Sequence, residues 1–102
     1  MGPGFESQPD HKGIQKLNSF FIMPYTYILY SAKLDKYYVG ACTDLQRRLY
    51  EHNIGHSKFT KVGIPWNLMY NEEFIDLPTA KKREMEIKKQ KSRKYIERLI
   101  GN

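Results

Sequence analysis

Residues 25–40 read YTYILYSAKLDKYYVG, two runs of aromatic, β-branched and apolar residues around a polar stretch at 31–36. That alternation predicts two strands joined by a turn. The pattern then changes period. Leu45, Arg48, Leu49 and His52 fall at i, i+3, i+4 and i+7, the spacing of one helix face, and Gly55 is a natural stop. Thr43 followed by Gln46 has the form of a capping box, which would open this helix. Residues 56–64 show no period and read as a basic loop around Phe59 and Gly63. After Pro65, residues 66–74 read as a third strand with Trp66, Leu68, Tyr70 and Phe74 on one face. The run Asp76-Leu77-Pro78-Thr79 then starts a helix, with proline in its first turn and Leu77, Ala80, Glu84 and Ile87 along one side. Ser92 caps or bends the start of a last helix whose apolar side is Tyr95, Ile96, Leu99 and Ile100. The order predicts an α+β fold, a three-stranded antiparallel sheet covered by helices.

Residues 1–23 differ from the rest. Gly, Pro and Ser dominate the first ten, and Ile14, Leu17, Phe20 and Phe21 could line a short helix or form an apolar tail. They read as a leader or flexible N-terminal segment, with the domain over 24–102. A chain of 102 residues supports one core, and a shallow surface site suits it better than a deep cofactor cavity. The single cysteine, Cys42, excludes an internal disulfide, and no apolar run is long enough to span a membrane, so a cytoplasmic location is expected.

The net charge of +6 is concentrated. Between positions 79 and 98 stand nine basic residues against three glutamates, so this segment carries the whole excess. Such a focused patch attracts polyanions, although a lysine-rich helix is more often a solvated face. Three interruptions of apolar patterning sharpen the picture. Arg48 and His52 break one helix stripe, and Glu84 breaks another on the helix that bears the basic surface. Tyr27 and Tyr38 lie on adjacent predicted strands. Arginine can pair with a phosphate through two parallel hydrogen bonds, a carboxylate can hold a divalent cation, and a phenol can orient a water. Taken singly, each has a plainer role: strand packing for the tyrosines, an ion pair with Asp44 for Arg48, a dipole-favoured helix end for His52, pairing with Lys81 or Lys88 for Glu84. His52 and His56 lack further ligands for a zinc site, and Cys42 has no base partner and suits a buried small side chain. Phe59, between Lys58 and Lys61, either stacks on a base or anchors the loop from beneath.

In order along the chain, Tyr25-Thr26-Tyr27, Tyr38-Val39-Gly40, the helix from Thr43 through Arg48 to His52, and Ala80-Lys81-Lys82-Arg83-Glu84 with Ile87-Lys88 resemble the motifs of GIY-YIG nuclease domains. The resemblance covers about residues 24–100 and is to the small single-domain bacterial branch, similar to the N-terminal domain of the bacterial excision-repair nuclease. It implies that Tyr27 and Tyr38 line the site, with Tyr27 as general base and Tyr38 assisting. Arg48 would stabilise the phosphate, His52 would assist, and Glu84 would bind one Mg²⁺ or Mn²⁺. Gly40 would permit close backbone approach. The chain departs from the family pattern in carrying Tyr25 where a glycine is usual, Ala41 where some relatives have lysine, and no asparagine in the last helix before Asn102.

The implied function is metal-dependent endonuclease action on DNA, in repair or recombination. The expected substrate is branched, flapped or otherwise partly single-stranded DNA, and the absence of an appended recognition module in this sequence argues against tight sequence specificity. Lys58, Lys61, Lys81, Lys88, Lys91 and Arg93 would contact the nucleic acid. The rival expectation, favoured by Tyr25, is a nucleic-acid-binding module that retains the fold without catalysis.

Overall fold

Strand β1 (Tyr25–Ser31) is the middle of a three-stranded antiparallel sheet, and four of its first five residues are buried. It pairs with β2 (Lys36–Cys42) on one side and β3 (Trp66–Glu73) on the other, giving the order β2-β1-β3. The structure, a computed structural model, describes residues 23–101. The leader read from the sequence therefore lies, apart from Met23, outside the described residues. Helices α1 (Leu45–Asn53) and α2 (Lys58–Lys61) lie between β2 and β3 in sequence, and α3 (Leu77–Lys89) and α4 (Arg93–Gly101) follow the sheet.

The two faces of β1 feed two cores, as the period of a strand requires. Tyr27 and Leu29 pack with Cys42 and Trp66, against Leu45 and Leu49 of α1. Ile28 packs on the opposite face with Val39 and Ile87, against Tyr95, Ile96, Leu99 and Ile100 of α4. The sheet is thus covered on both sides. Thr26, fully buried, donates a hydrogen bond to the Ala80 carbonyl at 2.6 Å and ties the central strand to the first turns of α3.

Local chemistry explains the element ends. Asp44, in extended conformation, accepts a hydrogen bond from the Arg47 amide at 3.1 Å, so Asp44 and not Thr43 caps α1. Gly55, at φ +82°, lies just past the end of that helix, where a left-handed residue favours glycine. Asp76 caps α3 through the Thr79 amide at 2.9 Å, with Pro78 in the first turn as expected. Ser92 accepts from the Tyr95 amide at 3.1 Å and opens α4.

Two further sequence expectations change. The span read as a loop over 56–64 contains the short helix α2, whose Thr60 is buried. In β3, Trp66 and Leu68 do not share a face with Tyr70. Ile28 pairs with Tyr70 and Leu29 with Leu68, so one extra residue, Met69, bulges out between them. The bulge turns Tyr70 towards α4, where it joins the core of Ile28.

A polar clasp joins the two halves of the fold. Asn53, at the last turn of α1, accepts from the Trp66 amide at 2.6 Å and donates to the Trp66 carbonyl at 3.0 Å. One side chain thereby serves both backbone groups at the entry to β3. Asn53→Ala leaves both unpartnered and is expected to cost about 1–3 kcal/mol, measured as a lower urea midpoint at unchanged m-value.

Candidate active site

Gly40 stands opposite Tyr27 in the β1–β2 register, and the phenol of Tyr27 lies across it. A Cβ at position 40 would fall 2.5 Å from the Tyr27 hydroxyl oxygen and 2.6 Å from the ring carbon that bears it. Only glycine leaves that space. The Tyr27 hydroxyl is hydrogen-bonded to His52 Nε2 at 3.2 Å, and His52 Nδ1 to Thr60 Oγ1 at 2.9 Å. Tyr27 is 1% exposed and His52 2% exposed. Trp66 Nε1 in turn donates to the Thr60 carbonyl at 2.6 Å, holding α2 in place. A buried chain, Tyr27–His52–Thr60, therefore joins β1, α1 and α2.

The electrostatics follow from burial. Desolvation pushes the Tyr27 phenol above the ordinary range, against the opposing pull of the Arg48 guanidinium beside it. His52 is lowered, first by burial and then by Arg48, while Glu51 works weakly in the other direction. His52 is accordingly neutral near pH 7. Arg48 pairs with Glu51 at 3.1 Å, in place of the i, i+4 pair with Asp44 that the sequence allowed, and it remains close to Tyr27.

Tyr38 opens this chain to the surface. Its ring is edge-on to His52 at 5.0 Å and to Trp66 at 6.1 Å, and Phe59 lies 6.2 Å away. Tyr38 and Phe59 line a groove of about 340 Å³ together with Ile87, Lys88 and Lys91. Glu84 is on α3 and its Oε2 accepts from Lys88 Nζ at 2.6 Å. Lys81, Glu84 and Lys88 stand at i, i+3 and i+7, so they share one stripe of that helix. The structure thus brings Tyr27, Tyr38, Arg48 and His52 together. Glu84 is joined to the groove through Lys88, which pairs with its carboxylate and lines the groove.

Lys58 and Lys61 are exposed on α2, as are Lys81 on α3 and Lys91 just beyond its end. Arg93 is spent otherwise. Its guanidinium donates to the Asp35 carboxylate at 2.7 Å, the Asp35 carbonyl at 3.0 Å and Glu97 at 3.0 Å, and it stacks over Tyr37 at 5.1 Å. It clamps α4 to the β1–β2 turn. Among the described residues, no group of three or more His, Cys, Asp or Glu side chains forms a metal cage, and no helix is long and apolar enough to cross a membrane. Cys42 is buried, as its sequence context suggested.

Thr60 was not legible as a site residue, for a threonine in an aperiodic basic stretch carries no signal of its partner. Gly40 carries the clearest mutational consequence. Gly40→Ala drives a methyl group into the Tyr27 phenol, and a destabilisation of about 1–3 kcal/mol is expected by urea unfolding. His52 gives a pH signature. Its pKa is lower folded than unfolded, so the unfolded state binds more protons below about pH 6.5 and stability falls as pH is lowered through that value. His52→Gln should flatten the slope between pH 7 and about pH 5.5, measured as urea-unfolding free energies on both proteins.

The model of the GIY-YIG catalytic domain matches residues 23–96, from just before β1 into α4. A UPF0213 protein of Staphylococcus saprophyticus is 40% identical over 76 residues, covering 71% of this chain and 92% of that protein. Another, from Natronomonas pharaonis, is 37% identical over 79 residues, covering 76% and 91%. One from Streptococcus pneumoniae serotype 4 is 34% identical over 79 residues, covering 76% and 79%. No solved structure matches the chain. The match takes in the Tyr27–His52–Thr60 chain, Tyr38 and Glu84 alike, and the chain belongs to the GIY-YIG nuclease-type family, in its small UPF0213 branch.

Proposed function

We propose that this protein is a metal-dependent endonuclease that hydrolyses phosphodiester bonds in branched or partly single-stranded DNA. The observation that carries the reading is the buried Tyr27–His52–Thr60 chain placed directly behind Tyr38 and a groove with Lys88 and Lys91 on its wall. A structural tyrosine needs no histidine acceptor, and a solvated basic helix needs no such groove.

A neutral imidazole has one donor and one acceptor nitrogen. With Nδ1–H directed at Thr60, Nε2 is free to accept from Tyr27. The phenol pKa is too high for Tyr27 to ionise alone at neutral pH. The oxygen of the attacking water bonds to phosphorus as the bond from phosphorus to the leaving strand's oxygen breaks. The water's proton goes to the Tyr27 oxygen as Tyr27 passes its own to His52 Nε2, and solvent water protonates the leaving oxygen. Tyr38, on the groove wall, orients the water, and Arg48 stabilises charge on the phosphate. Lys81, Lys88 and Lys91, with Lys58 and Lys61 of α2, hold the flanking backbone. Arg93, all three of whose guanidinium nitrogens are engaged by Asp35 and Glu97, is left out of this set, whereas the Lys88 ammonium keeps two donors beyond its bond to Glu84.

Glu84 suits a hard divalent cation. Mg²⁺ is commonly held by one or two carboxylates together with waters and substrate phosphates, so a single carboxylate beside a phosphate-binding groove is a sufficient protein donor. Bound there, Mg²⁺ or Mn²⁺ supplies neutralisation of charge on the phosphate. Lys88 on Glu84 Oε2 holds the carboxylate in place.

The second reading, binding without hydrolysis, is favoured by the enclosure of Tyr27 and by Tyr25 at the motif glycine's position. It predicts salt-sensitive retention of DNA with no metal requirement. The deciding experiment is cleavage of labelled duplex, single-stranded, flap and branched DNAs with Mg²⁺, Mn²⁺ or EDTA. Metal-dependent cuts are expected, lost in Glu84→Ala and slowed about 10²-fold or more in Arg48→Ala, with DNA binding kept in both. Cutting by Glu84→Ala at the unmodified protein's rate would falsify the reading.

A further inference from the structure

Phe59 is 79% exposed on a four-residue helix whose neighbouring Thr60 is fully buried against His52. The structure excludes the plainer task of anchoring the loop from beneath, because Trp66, through its bond to the Thr60 carbonyl, and Ile64 do that instead. An aromatic ring left in water at the mouth of a groove, with the Tyr38 ring 6.2 Å away, has a free π face. Lysines surround it: Lys58 and Lys61 on its own helix, Lys88 and Lys91 across the groove. An apolar ring bordered by cations complements one ligand chemistry well, a nucleobase lifted out of its stack with phosphates on either side. A paired duplex keeps its bases stacked and offers the ring none.

We propose that Phe59 is a base-stacking platform that receives an unpaired nucleotide of DNA and so makes single-strandedness the feature this site selects. The proposal deepens the nuclease reading and rests on it for the identity of the substrate. Because Phe59 precedes Thr60 in sequence, the platform and the histidine chain are held in register by the same turn of helix. A base stacked on Phe59 sets the adjoining phosphate over Tyr38, whose ring is 5.0 Å from His52. Phe59 is here a specificity-determining residue.

The test uses DNA with 2-aminopurine at the unpaired position of a flap, in EDTA so that no strand is cut, beside the same sequence fully paired. Stacking quenches this base. Quenching is expected with the unmodified protein, lost in Phe59→Ala and in Phe59→Leu, which keeps the apolar bulk but not the π face, and retained in Phe59→Tyr. Affinity for the flap should fall roughly 5- to 150-fold in Phe59→Ala, the range of one base–aromatic stack, while affinity for the paired duplex is unchanged. The exposed position makes unfolding of these variants unexpected, and circular dichroism checks it. Undiminished quenching in Phe59→Ala, or an equal loss on flap and duplex, overturns the proposal and leaves the nuclease reading untouched. Phe59-dependent quenching by a protein that cuts none of the DNAs with metal upholds the platform and overturns catalysis. Failure to bind any of the DNAs overturns both.

Discussion

The close approach of Tyr27 to Gly40 is the constraint on which the rest of the site depends. A full phenol ring lies across the neighbouring strand where any side chain would collide with it, and that places its hydroxyl within reach of His52. The histidine can stand there only because α1 is stopped at Asn53 and the chain returns through α2, whose Thr60 takes the other ring nitrogen. Burial then sets the protonation states. A phenol and an imidazole shut away from water both favour their neutral forms, so the pair is held as a neutral hydrogen bond rather than as an ion pair.

The two faces of the sheet have separate tasks. On the α1 and α2 side the core is interrupted by hydroxyl and imidazole groups, and Tyr27, His52 and Thr60 pair with one another. On the α3 and α4 side the core is conventional: Ile28, Val39 and Ile87 under Tyr95, Ile96, Leu99 and Ile100. Its polar network serves cohesion. Arg83 reaches Glu72 with two nitrogens, at 3.0 and 3.1 Å, and Tyr95 at 3.4 Å, while Tyr70 donates to the same glutamate. Arg93 does comparable work at the β1–β2 turn. Thus Arg83 and Arg93 already have acidic partners within the fold. Of the others, Lys88 and Lys91 line the groove, where Lys88 links Glu84 to Tyr38 and Phe59.

The tyrosines of β1 and β2 divide by the same logic. Tyr30 bonds Asp35 at 2.6 Å and packs on Tyr37, so both belong to the turn and to Arg93. Tyr25 joins the α1-side core at the end of the strand. Tyr27 and Tyr38 alone meet His52. Alternation along a strand sorts residues onto faces, and the position along each face then decides which of them reach the histidine.

The sequence by itself determined the elements whose cause is local. Alternation along β1 and β2, the helix start at Asp76-Leu77-Pro78-Thr79, the Ser92 cap, the stop at Gly55 and the apolar side of α4 all depend on residues within one or two turns of each other, and they stand as expected. It also carried the proximity of Tyr27, Tyr38, Arg48 and His52, through their order along the chain and, for Arg48 and His52, because each interrupts an apolar stripe. Tertiary structure alone decided the rest. The Met69 bulge that turns Tyr70 to the other face, the capture of Arg93 by Asp35, the link from Glu84 through Lys88 to the groove, Thr60 behind His52, and Phe59 in the open are outcomes of packing between distant segments. Hydrophobic periodicity records which face of an element is buried. It records nothing of which polar atom on another element completes a hydrogen bond, because that choice follows from geometry that exists only once the layers have closed.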